Sequence, residues 1–417
     1  MRIDPPALPF DALDLSPAEV DRRFALAHAR GTPRWLWPEL PVERWAAGRR
    51  DVVRVTREVL AGRTAALDPR AEVGAEAVGI AAFTLGMGPL LGHWMAAGAL
   101  DAEPRTAAVL ALHLEHGRAR AEKLDRVLDR TLATLASAGA EATVIKGMHT
   151  ARVLFPHPAT RPMTDIDLVI DPSRVPAAEA ALAAAGFARE DDTYQRHPYH
   201  ADWRPPGEGG PLRSLMLTHR DNPLALNLHD VFDRFPGHGR VLLGTPGAAD
   251  KGEMPGVRTP ARVLAGPFLV AYLAAHASEQ RENLLLVRLV ELVLAMGAGV
   301  DPGALRAFLD ARRMAHHVYP ALALAERLAP GTLDAAFLAW LQAESGARVC
   351  RLVEGLDLAM LQRMDAAVAG GRALGVRGTM DRLRAALRWL VPHRSVPRVA
   401  AVYRSRWGRL LALMRAR

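Results

Sequence analysis

Cysteine is nearly missing from this chain of 417 residues: Cys350 stands alone. One thiol excludes an intrachain disulfide and a cysteine-built zinc site, and it fits a reducing, cytoplasmic setting. Lysine is almost as scarce. Of 53 basic residues only Lys123, Lys146 and Lys251 are lysines, so arginine serves wherever a generic cation suffices. Lys146 is an exception, a compact point charge where the chain elsewhere uses the broad guanidinium fork. The opening MRIDPPALPFDALDL lacks the apolar core of a signal peptide. The longest uncharged run, Val78 to Leu100, is interrupted by six glycines and prolines, and reads as a pair of buried helices rather than a membrane span. There is no Walker-type loop, no Gly-x-Gly-x-x-Gly turn after a strand and no Gly-x-Ser-x-Gly elbow.

What is there is ordinary globular composition, with 50% hydrophobic and 24% charged residues. The net charge of +8 is uneven. From Gly371 to Arg417 there are twelve arginines and one acid, Asp381, a stretch of +11, while the rest of the chain carries −3. Trp389, Tyr403 and Trp407 are interleaved with those arginines. The stretch could meet an anionic partner, or it is a helical end in a chain that favours arginine throughout.

Periodicity divides the chain into three regions. Residues 1–103 read as short helices, beginning with SPAEVDRRFALAHARG, where Ser16 caps, Pro17 opens and Gly31 stops. Residues 104–258 are mixed. A long helix from Pro104 to Ala138 is followed by a short β-type run, ATVIKG, then a helix stopped at Pro156, the strand DIDLVID and an Ala-rich helix ending at Gly186. The segment SLMLTHRDNPLALNLHDVF reads as two strands joined by an Asp221-Asn222-Pro223 turn. Residues 240–260 read as a loop, and from Thr259 to 417 every pattern is helical. The expected class is α+β, a small mixed-sheet core between helical flanks.

The chemistry concentrates in VIKGMHTARVLFPHPATRPMTDIDLVI, Val144 to Ile170. Asp165 and Asp167 are two apart on a strand and so share a side. Lys146 and Gly147 sit at a helix start, a natural anion site, and Arg161 comes shortly before the acidic strand. Phosphate-seeking groups beside paired carboxylates suit a nucleoside triphosphate with Mg²⁺ between.

This order of Lys-Gly, a helix ending in Phe-Pro, Arg-Pro and Asp-Ile-Asp resembles the uncharacterised bacterial nucleotidyltransferases of the polymerase-β-type superfamily, over roughly residues 100–300. The resemblance implies transfer of a nucleoside monophosphate from an NTP, ATP being the expected donor, with release of pyrophosphate. It implies that Lys146 and Gly147 hold the triphosphate, Arg161 contacts phosphate, and Asp165 and Asp167 bind one or two Mg²⁺. The superfamily's third carboxylate should precede Leu-His in a later strand. Here that strand is LALNLHD and the position is Asn227, an amide that cannot take a proton. His229, on the same face, or Asp230, one residue further, could act instead. The resemblance also places an Arg and an acid of a later helix near the pocket, here Arg288 and Glu291.

Plainer readings accompany each of these. The acidic pair could be a solvated strand end, His229 a structural histidine, and Arg288 with Glu291 a local i,i+3 ion pair. His197, His200 and Asp202 have a metal-like spacing but read as a loop near the acceptor. Two other functions stay open: an NTP-binding module weakened by Asn227, and a nucleic-acid binder using the basic stretch. The first predicts nucleotide binding without pyrophosphate release, and the second predicts steeply salt-dependent binding. Against the second, no RNA-binding motif is recognisable. The acceptor is unidentified: a small molecule, peptide or protein.

Overall fold

The computed structural model of the protein describes residues 14, 16–30, 36, 40–68, 74–190, 200–209, 219–232, 243–279 and 284–361. The basic stretch 371–417, His197 and the segment Ser214–Leu217, expected as a strand, lie outside them.

Helices open the chain: α1 (Pro17–Arg30), α2 (Val42–Leu60), α3 (Gly74–Thr84) and α4 (Gly88–Ala96), with the two-residue strands β1 (Ala65–Ala66) and β2 (Leu100–Asp101) pairing in parallel. α3 and α4 account for the uncharged run and bend by 117° at their junction. Among the described residues no single helix is long and apolar enough to cross a membrane.

α5 (Pro104–Ser137) follows as a helix of 34 residues, about 50 Å long. Pro104 needs no partner at its first position, and the Glu103 carboxylate accepts the Arg105 and Thr106 backbone N–H groups, so two otherwise orphaned donors are met. The mixed region then supplies β3 (Ala142–Ile145), α6 (Gly147–Val153), β4 (Asp165–Ile170), α7 (Val175–Ala184), β5 (Ala188–Glu190), β6 (His200–Arg204), β7 (Ala225–His229), β8 (Lys251–Glu253) and β9 (Arg262–Leu264). These strands form one seven-stranded sheet in the order β5-β6-β7-β4-β3-β9-β8. Last come α8 (Gly266–Glu279), α9 (Leu286–Gly297), α10 (Pro302–Ala311), α11 (Ala315–Leu328) and α12 (Ala335–Glu354). The class is α+β and mostly helical.

Two readings of the sequence are corrected. β8 lies inside the expected loop, and β9 lies beyond Thr259, where only helix was expected. Three-residue strands are too short to display a period, and they exist because β9 lies parallel to β3 and β8 pairs antiparallel with β9. β7, expected in a hairpin with residues 214–217, pairs among the described residues with β4 and β6.

Two hydrophobic clusters organise the interior. One combines α1 to α4 with α8 to α12, so helices from both ends of the chain share a core. The other lies against the sheet and includes Val144, Ile166, Leu168, Leu182 and Leu226. α5 joins them: Val109 and Leu110 belong to the first, while Leu124, Leu128, Leu132 and Leu135 belong to the second. Its midpoint touches the turn at Pro158–Thr160 so closely that a Cβ on Gly117 would stand 2.5 Å from the Ala159 carbonyl oxygen. That contact fixes the turn before β4 against α5.

Candidate active site

The centre of the sheet builds the site. β4 lies parallel to β7, which sets Asp167 against Asn227, and antiparallel to β3, which sets Asp167 against Ile145, the residue before Lys146. Strand alternation turns Ile166 and Leu168 into the core, where both are fully buried, and sends Asp165 and Asp167 to the other face.

Three side chains meet this pair directly. Lys146 Nζ donates to Asp167 Oδ1 at 2.6 Å, and His229 Nε2 lies 3.0 Å from the same oxygen. Asn227 Nδ2 is 3.2 Å from Asp165 Oδ2 and 3.4 Å from Asp167 Oδ1, so one amide spans both carboxylates. Asp165 Oδ1 and Asp167 Oδ2 accept no hydrogen bond among the described residues.

The two carboxyls are driven apart. Asp165 keeps part of its surface open, yet desolvation and the neighbouring Asp167 charge push it up to about 6. Burial also works to raise Asp167, but the Lys146 ammonium and the His229 hydrogen bond outweigh it and hold this carboxyl well below the usual range. Arg288, buried on α9, and Arg161 add positive potential at Asp165.

Lys146 itself takes φ 54°, a conformation side chains rarely adopt, at the turn from β3 into α6. Gly147 follows because there is no room for more. A Cβ there would come within 2.6 Å of Arg161 Nη1 and 2.9 Å of Met163 Sδ. Arg161 is held by an acid 130 positions later: Nε donates to Glu291 Oε1 at 2.8 Å and Nη2 to Glu291 Oε2 at 3.1 Å. Thr150 Oγ1 donates to the same carboxylate. The local pair between Arg288 and Glu291, the plainer of the two readings, is therefore not what forms, because α9 presents Glu291 to α6 and to the segment before β4.

Eight of the residues singled out in the sequence thus come to one neighbourhood: Lys146, Gly147, Arg161, Asp165, Asp167, Asn227 and His229 by contact, and Arg288 through its field. Sequence reasoning missed Thr150 and Arg120. Arg120, 2% exposed on α5, donates to the carbonyls of Met163, His219 and Asn222, tying together the segments that lead into β4 and β7. Burial lowers its guanidinium to about 10, still charged at neutral pH. Its signal was a lone arginine among Gly117, Ala121, Leu124 and Leu128, the buried stripe of the helix.

A second cluster looks metal-like without fitting a metal. Ligand atoms of Asp21, His219 and Asp221 lie within 4.8 Å of one another. The Asp221 N–H donates to His219 Nδ1 at 3.2 Å, which leaves the ring proton on Nε2, the nitrogen 3.3 Å from Asp21. Arg220 already takes the other Asp21 oxygen at 2.6 Å. The cluster fastens α1 to the strand-entry turn.

The acidic pair is different. Two carboxylates, each with an oxygen left to coordinate, beside an ammonium, are the donor set that Mg²⁺ takes when phosphate oxygens complete its shell. No curated protein and no solved structure matches the chain. A profile of a family described as uncharacterised nucleotidyltransferases matches residues 73–330, more than half of the chain and all of the elements that build this site. The chain belongs to that family of nucleotidyltransferases.

Proposed function

We propose that the protein transfers a nucleoside monophosphate from an NTP, in the first instance ATP, to an acceptor that is a small molecule, peptide or protein, with pyrophosphate leaving. The observation that carries this is the meeting of Lys146, Asp165, Asp167, Asn227 and His229 at one end of the sheet. Asp165 and Asp167 would hold Mg²⁺, which supplies neutralisation of phosphate charge and alignment of the reacting oxygens. Lys146, 13% exposed in its side chain, presents a compact cation beside the pair for the triphosphate, and the missing Cβ of Gly147 lets Arg161 pack directly against the turn that carries Lys146. Arg161 is kept in place by Glu291, so its guanidinium is oriented before any substrate arrives.

Asn227 occupies the position of the third carboxylate and cannot accept the acceptor's proton, but its amide fixes the spacing of the other two. His229 is the titratable base touching the pair, and we assign it the proton-accepting role. A second reading rests on the same Asn227: a module that binds NTP and does not turn it over.

Calorimetric titration of ATP, GTP, CTP and UTP with Mg²⁺, on the protein and on Asp165→Ala/Asp167→Ala, tests the pocket. Binding of one NTP that the double variant loses is the expected result, and no binding of any NTP overturns the proposal. Pyrophosphate release in the presence of cell extract then separates the enzyme from the module. His229→Ala should abolish release while leaving NTP affinity within about threefold.

A further inference from the structure

α2 carries more arginine than its acids can meet. Arg50, Arg54 and Arg57 recur at helical spacing on one exposed face, Arg63 follows just past the helix end, and Arg327 comes from the last turn of α11. These five side chains line a single cavity of about 480 Å³. Two acids share the lining, Glu58 and Asp357. Glu58 is taken by Arg54 at 3.0 Å, and Arg54 also pairs with Asp51. Asp357 accepts the Ala359 N–H at 2.9 Å as a turn cap.

The other four arginines form no ion pair with a carboxylate among the described residues. Two of them are nonetheless positioned. Arg57 Nη2 donates to the Arg327 carbonyl at 2.8 Å, and Arg327 Nη1 to the Val353 carbonyl at 3.0 Å. A neutral carbonyl orients a guanidinium without cancelling its charge. Asp357, whose charge the neutral N–H does not cancel, offsets one of these four charges, and the excess around the cavity repels until a further anion comes between them. The guanidinium fork matches phosphate oxygens in pairs, and four forks call for more than one phosphate. Among the described residues no aromatic side chain lines the cavity, so none of them stacks on a base there. None of its lining belongs to the acidic-pair site.

We propose that this cavity is a second anion site, taking a polyphosphate group, free or carried by a nucleotide, by charge and without reading a base. It stands independently of the nucleotidyl-transfer reading.

The test is calorimetric titration of the full chain with inorganic tripolyphosphate, without Mg²⁺, on wild type, Arg50→Gln/Arg57→Gln/Arg63→Gln and Lys146→Ala. Affinity should fall about tenfold in the triple variant and survive in Lys146→Ala. The double variant Arg50→Gln/Arg63→Gln changes two side chains that make no hydrogen bond among the described residues, so folding is not at stake, and it should fall in the same direction. In Lys146→Ala, ATP binding as tightly as tripolyphosphate supports the site for nucleotide phosphates, and tripolyphosphate binding alone supports it for free polyphosphate. Binding that Lys146→Ala abolishes and the triple variant leaves untouched overturns the proposal. So does the lack of any tripolyphosphate binding by the wild type.

Discussion

The acidic pair at the sheet centre and the arginine-lined cavity at α2 treat charge in opposite ways. At the centre, charges are buried and each meets a partner from elsewhere in the fold: Arg161 meets Glu291 across 130 positions, and Lys146 meets Asp167 across 21. At the cavity, the acids that are paired sit three and four residues from Arg54, and Arg50, Arg57, Arg63 and Arg327 stay exposed with no carboxylate partner among the described residues. A buried charge left unmatched costs several kcal/mol of stability, whereas an exposed one is tolerated because water screens it. The centre is therefore fixed by folding itself. The α2 face is free to be shaped by whatever it binds.

Breaking the long-range pair should have the largest effect. Glu291→Ala leaves Arg161, 10% exposed in its side chain, without its counter-charge, and also removes the acceptor of Thr150. Loss of one partner of a buried pair costs about 3–5 kcal/mol. Urea unfolding should show that loss, and Arg161→Met/Glu291→Leu should recover most of it. If Glu291→Ala unfolds at the wild-type midpoint, the pair does not hold the site together.

That pair also marks where sequence reading stopped. Lys146-Gly147, Arg161 and Asp165-x-Asp167 were legible because each is a short local pattern at the edge of a strand or helix. The long helix α5 was legible because its apolar stripe runs for many turns. Glu291 was visible three residues after Arg288, and that spacing argued for a local bond. Only the packing of α9 against α6 redirects it to Arg161. The three-residue strand β9 owes its existence to non-local pairing with β3, and β8 to pairing with β9 in turn, while Arg120 gave only the faint sign of a charge in an apolar stripe.

The two aspartates themselves should respond with opposite signs, by smaller amounts. Asp165 is raised from 3.8 to about 6, so its contribution is full below 3.8 and is lost as pH rises through 6. Asp167 is lowered from 3.8, so its contribution is present above that value and is lost as pH falls. In EDTA at pH 7.5 (chosen, as about 1.5 units above the raised value, to ionise both), Asp165→Asn should stabilise the protein by about 1–2 kcal/mol. Asp167→Asn should destabilise it by about 2 kcal/mol, since the acceptor that Lys146 and His229 share loses its negative charge. At pH 5 the gain from Asp165→Asn should shrink. Thermal melts of both variants across this range decide the matter, and two variants that shift alike would show that the asymmetry of the pair is not real.

The smallest effect sharpens the contrast most. Arg57 is exposed, and its recorded bond is to a carbonyl, that of Arg327. Arg57→Gln should change stability by no more than about 0.5 kcal/mol, as surface substitutions do. It could even stabilise, because removing one of four clustered positive charges relieves repulsion, and that gain should fade as salt screens the cluster. Melts of Arg57→Gln at low and at high salt read this directly. A large loss at either salt would mean that the α2 arginines are part of the scaffold, as Arg161 is, and that the division between a charged centre built by folding and a charged face left for a ligand is drawn in the wrong place.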